Sequence, residues 1–128
     1  SNWAICDNFC NNSVGAIFML YPNRLDDLKR WATCENRWLQ RASAVSLIVP
    51  ARKGMWLEVV FQQADLLMDS EDDLVQKGYG WLLKVASKSH PKEIFKYLLL
   101  RKKNMPRPAL RYAIGHLATE LKQEIMQS

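Results

Sequence analysis

Near the start of the chain, the stretch WAICDNFC sets Trp3 and Asp7 four residues apart. On a helix, that step brings an indole and a carboxylate to the same side. Two readings fit: a core tryptophan beside a helix-capping aspartate, or a pair held out to a ligand. In the second, an aromatic face and a carboxylate are both offered to one ligand. Arg41 is the next anomaly, because it interrupts the apolar and small residues of WLQRASAVSLI. Either its stem lies on the core and its guanidinium reaches water, or it meets a phosphate. Trp81 follows Gly78 and Gly80 within one predicted helix. Each glycine costs about 1 kcal/mol there relative to alanine, so a neighbouring helix or a ligand comes close, and helix packing is the commoner cause. Trp31, Trp38 and Trp56 lie on apolar stripes and read as core.

These residues need elements to hold them. Apolar residues recur at three and four, which predicts helices over 7–20, 24–33, 36–49, 54–69, 72–87, 91–102 and 107–126. Breakers separate them: YPN at 21–23, PARKG at 50–54, SHP at 89–91 and NMPRP at 104–108. Short connections make neighbouring helices antiparallel. LQRASAV (39–45) aligns with VQKGYGW (75–81), and the basic residue moves from Arg41 to Lys77 and then to Arg111 in LRYAI. Steps of 36 and 34 residues between these positions mark stacked helix pairs. The expected fold is all-α, a right-handed α-solenoid of antiparallel helix pairs of the HEAT-like or ARM-like kind.

The net charge is +5, which favours polyanions over acidic partners. If Arg41, Lys77 and Arg111 hold equivalent places, they form a basic ladder suited to a phosphate backbone. RKKNMPRPALR (101–111), with Arg107, adds five basic residues and no acid. The acidic cluster DSEDD (69–73) is expected at a turn away from any DNA, capping the next helix. The three cysteines, Cys6, Cys10 and Cys34, form an odd set without a visible secretory signal. They read as reduced structural thiols of a cytoplasmic protein. His90 and His116 do not complete a zinc site with them, so no metal is expected. The longest apolar run, Leu98 to Leu100, is far too short to cross a membrane. No glycine-rich phosphate loop or nucleophile elbow is present, so no cofactor is expected.

WAICD, WATCENRWLQRASAV, LVQKGYGWLLKVASKSHP and RPALRYAIGHL together resemble the DNA alkylation repair family of AlkD-type glycosylases. That family has a Trp-x-x-x-Asp element, then a Trp-Leu-x-Arg helix, then a Lys-x-x-Gly-Trp-x-Leu-Arg helix ending in Ser-Lys and a proline. Order and approximate spacing hold along the whole chain, which covers about the C-terminal half of a typical member. The resemblance implies a single HEAT-like domain over 1–128, part of a longer solenoid, that grips double-stranded DNA containing alkylated bases. It implies that Trp3 and Trp81 are aromatic walls, Asp7 the catalytic carboxylate and Arg41 a DNA-backbone contact. Lys77 matches a helix-start lysine that is structural or phosphate-binding. Lys84 stands where arginine is frequent, and so lacks the bidentate fork. Lys84, Arg107 and Arg111 complete the expected backbone contacts.

The implied reaction is excision of cationic N3- or N7-alkylated purines by a DNA glycosylase. The rival readings are a non-catalytic DNA-binding relative and a protein-binding helical-repeat scaffold. Val14, Ile17, Phe18 and Leu20 are expected to form an exposed apolar face on the first helix, through which the chain self-associates.

Overall fold

The computed structural model describes residues 13–127, and every regular element among them is helical. In chain order these are α1 Gly15–Leu20, a 3-10 turn Pro22–Leu25, α2 Asp26–Thr33, α3 Arg37–Val45, α4 Ile48–Arg52, α5 Leu57–Leu67, α6 Asp73–Ser87, α7 Pro91–Arg101, α8 Arg107–Ala113 and α9 Thr119–Met126.

Local chemistry explains the starts of the two helices that matter most. Asn36 caps α3, its side-chain oxygen accepting from the Trp38 and Leu39 amides at 2.9 and 3.2 Å. Asp72, at the matching place 36 residues on (72 − 36), caps α6 by accepting from the Leu74 and Val75 amides at 2.9 and 3.3 Å. Such a cap stabilises a helix by about 1 kcal/mol. The likeness goes further. Gln40 donates to the Cys34 carbonyl at 2.6 Å, and Gln76 donates to the Ser70 carbonyl at 2.9 Å. One helix-start device therefore occurs twice, at the step read from the sequence. It does not occur a third time, because Pro106 precedes α8 without a side-chain cap.

Contacts between helix pairs keep a similar step. Gln63 donates to the Leu28 carbonyl, Arg37 pairs with Asp72, and His90 Nε2 lies 3.0 Å from the Gly54 carbonyl, at separations of 35, 35 and 36 residues. Asp65 accepts from Tyr97 Oη at 2.6 Å and Arg101 Nε at 2.7 Å. Because Arg37 meets Asp72 and Arg41 meets Leu74, α3 and α6 run side by side in the same sense.

Two predicted helices are interrupted. The 36–49 helix breaks at Ser46–Leu47 and resumes as α4. Pro50, expected to break the chain, is the third residue of α4. The first turn of a helix has no intrahelical amide bond for proline to remove. The 107–126 helix divides at residues 114–118, after α8. In α1, Phe18 is buried edge-on to Trp31, with ring centroids 5.9 Å apart, and Val14 packs on the core. Only Ile17 and Leu20 of the expected apolar face are exposed. Trp31 and Trp56 pack at the margin of the core. Trp38 is only half-buried, with the Arg37 guanidinium 5.2 Å from its ring centroid. Cys34 donates its thiol to the Trp31 carbonyl, a structural role.

Helix α6 lies at the centre and touches α3, α4, α5, α7 and α8. Its glycines are explained by packing. A Cβ on Gly80 would stand 2.7 Å from the Ala109 carbonyl oxygen and 2.9 Å from Tyr112 Cβ, so α8 lies directly on it. The nearest atoms to a Cβ on Gly78 would all belong to Arg41: its stem at 3.3 Å, Nη1 at 3.5 Å and its backbone oxygen at 3.9 Å. Gly80→Ala is therefore expected to destabilise the fold, because overpacking costs about 1–3 kcal/mol, against about 1 kcal/mol gained in helix propensity. Gly78→Ala is expected to be neutral or stabilising. Chemical denaturation of both variants tests the ordering, and the reverse order would mean that α8 does not pack where described.

Candidate nucleic-acid interface

The interface is built on one stripe of α6. Lys77, Trp81 and Lys84 fall at steps of four and three, which places them on one side of that helix. Arg41 from α3 and Tyr112 from α8 flank the stripe. With Leu74, these residues line a cleft of about 380 Å³.

Each charged side chain in the cleft is held differently. Arg41 is 7% exposed. Its Nη1 donates to the Leu74 carbonyl at 2.5 Å, and its stem crosses α6 at Gly78. Lys77 is more open and pairs with Asp73 at 3.0 Å, one turn back. The hydrogen bond that Lys77 donates to Asp73, then the Asp73 charge, raise the Lys77 pKa, so the ammonium stays charged at neutral pH. Lys84 Nζ lies 5.5 Å from the Tyr112 ring centroid, a cation–π contact. Gly115 lies against the Lys84 stem, since a Cβ there would come within 2.8 Å of Lys84 Cδ. Trp81 is half-buried, one part packed on the core and the rest in the cleft.

Among the described residues that line the cleft, none is acidic. Asp73 sits beside Lys77, so the DSEDD turn caps α6 as expected but does not lie away from the cleft. The cleft thus combines three cations with two aromatic rings. That suits a phosphate backbone together with a flat or cationic group, since cations replace condensed counterions and ring faces attract positive charge.

Residues 1–117 match the family described as DNA alkylation repair enzyme. The chain belongs to the DNA alkylation repair enzyme family. A search among curated proteins gives no match.

Of the site residues expected for this repair-family chain, the structure brings together Arg41, Lys77, Trp81 and Lys84. Trp3 and Asp7 lie outside the described residues. Arg111 is exposed on α8 and is not among the residues lining the cleft. Its neighbour Tyr112 takes that place, a residue the sequence reading passed over.

The register explains the exchange. Between α3 and α6, Arg41 lies against Leu74 and Gly78, separations of 33 and 37 (74 − 41, 78 − 41). Between α6 and α8, Gly80 lies against Ala109 and Tyr112, separations of 29 and 32 (109 − 80, 112 − 80). The second offset is about one turn shorter, so Arg111 does not sit where the 34-residue step puts it. Arg107 is also exposed. It lines a separate hollow of about 360 Å³ with Lys102, Lys103, Met105, Ile125 and Gln127. Among the described residues, no group of three or more His, Cys, Asp or Glu side chains is placed to hold a metal ion. No described helix is long and apolar enough to cross a membrane.

Proposed function

We propose that this chain acts in DNA repair as a glycosylase that removes cationic N3- or N7-alkylated purines, with the cleft along α6 gripping duplex DNA. The observation that carries the reading is the convergence of Arg41, Lys77 and Lys84 around the Trp81 face in one cleft. The offsets of 35, 35 and 36 residues in Gln63–Leu28, Arg37–Asp72 and His90–Gly54 support a HEAT-like solenoid.

The chemistry suits these residue types. An alkylated purine carries positive charge, and cleavage of its bond to C1′ sends the electron pair to the base, which departs neutral. No general acid is required. Positive charge develops on the deoxyribose, and water adds there, losing a proton to leave an abasic site. An ionised Asp7 stabilises that sugar charge and orients the water. The Trp81 face attracts the cationic base before it leaves, worth about 0.5–2 kcal/mol.

The test is release of free base from duplex DNA methylated at purine N7 and N3. The full-length protein is expected to release base faster than the spontaneous rate. Trp81→Ala is expected to weaken lesion binding about 2–30-fold, the affinity equivalent of the cation–π range, and so to lower release at subsaturating protein by a similar factor. Salt-sensitive binding without release would identify a non-catalytic relative, and absence of salt-sensitive binding would identify a scaffold.

A further inference from the structure

The turn after α8 brings Gly115 against the Lys84 stem and leaves His116 exposed at the edge of the cleft. Lys88 follows Lys84 by one turn at the end of α6, and the charges of Lys88, Lys84 and Lys122 act on the His116 ring. Among the described residues, none of the charged groups acting on the ring is a carboxylate. Lys84 is already oriented by the Tyr112 ring and by Gly115, so one cation at the centre of the cluster is fixed in place. A backbone running along the cleft past Lys84 would next meet this surface.

We propose that Lys84, Lys88, Lys122 and His116 form a second phosphate-contact surface for duplex DNA, beside the lesion-binding cleft, whose grip strengthens as His116 becomes protonated. The inference rests on the DNA-binding part of the function proposed above, and not on base excision.

Crowding that removes water from the ring, then the charges of Lys88, Lys84 and Lys122, lower the His116 pKa from its ordinary 6.5. At neutral pH the free protein therefore holds His116 uncharged. A phosphate placed over the cluster offsets the lysine charges and favours the imidazolium. The pKa is then higher in the complex than in the free protein. The sign follows: the extra affinity is absent above the complex's pKa, appears as pH falls between the two values, and is complete below the free protein's pKa. His90, in contrast, lies 3.0 Å from the Gly54 carbonyl and 3.6 Å from Glu93, and serves as the control histidine.

The experiment measures binding of a short undamaged duplex at constant salt from about pH 7.5 to about pH 5.5, across the histidine range. The wild-type chain is expected to bind about three- to tenfold tighter at the lower pH, tenfold being the gain from a one-unit rise in pKa. His116→Gln should bind as wild type does at the higher pH and lose the gain, while His90→Gln keeps it. Ring NMR of His116 should show its titration moving to higher pH when the duplex is added. A wild-type profile flat with pH, a gain that survives His116→Gln, or a His116 titration unmoved by duplex overturns the proposal. Failure to bind duplex at any pH overturns both this surface and the DNA-gripping cleft. Lack of base release, with the pH-dependent binding intact, overturns the glycosylase reading alone.

Discussion

Arg41→Ala is expected to lower the stability of the fold by about 2–4 kcal/mol, as well as to weaken DNA binding. The guanidinium is nearly enclosed and donates to the Leu74 carbonyl at 2.5 Å. A hydrogen bond from a charged donor is worth about 1.5–3 kcal/mol, and the stem adds the packing it makes across Gly78. For a domain of this size the melting temperature should fall by roughly 10 °C. Loss of DNA binding in the alanine variant alone therefore does not separate a phosphate contact from a damaged cleft. Arg41→Met makes the distinction, since it keeps most of the stem and removes the charge. Binding to duplex across a salt series, corrected for folded fraction, should then show a slope smaller by about 0.9, the value for one lost phosphate contact. An alanine variant that melts with the wild type would restore the snorkelling reading, in which the guanidinium is solvated. An unchanged slope in the methionine variant would leave Arg41 as a brace between α3 and α6 only.

Arg41 also shows how much the sequence discloses. Its oddity within an apolar stretch was visible, and so was its 36-residue relation to Lys77. The repeat is real at the level of hydrogen bonds, since Asn36 and Asp72, and Gln40 and Gln76, perform matching tasks. Charge type and spacing did not show that Arg41 is buried and Lys77 open. That difference depends on which neighbour lies against each side chain, and only Arg41 crosses a glycine on α6. The third repeat step misled for a related reason. Residues 110–114 offer a base in the right place along the chain, but the unit lacks the Asx cap and the Gln that fix the register of the other two. Close seating of α8 on Gly80 sets the register instead, and it turns Tyr112 toward the cleft. The glycines carried that information, since two of them in mid-helix imply a close neighbour. Residue type alone leaves open whether the neighbour is a helix or a ligand. Periodicity places Phe18 on an apolar face without saying what covers it. Trp31, from the next helix, covers it here.

Asp7→Asn is expected to reduce base release about a hundredfold or more while leaving duplex binding close to wild type. The substitution keeps the size and planarity of the side chain and removes its charge. Loss of one well-placed electrostatic group at a reacting centre costs on the order of 10²–10³ in rate. The effect should fall on the chemical step, because the sugar acquires its positive charge in the transition state and not in the bound lesion. Binding is expected to persist because the substitution leaves the charges of the proposed backbone contacts, Lys77 and Lys84 among them, unchanged. The competing role is a helix N-cap, and the same variant separates the two. Asparagine caps a helix about as well as aspartate does, so a capping Asp7 predicts both unchanged melting and unchanged release. Asp7→Ala supplies the complement: a cap would lose about 1 kcal/mol of stability, whereas a catalytic carboxylate exposed to the groove would lose rate with little change in melting. Single-turnover release at saturating enzyme, measured with melting on both variants, decides the matter. Full release by Asp7→Asn would end the catalytic assignment.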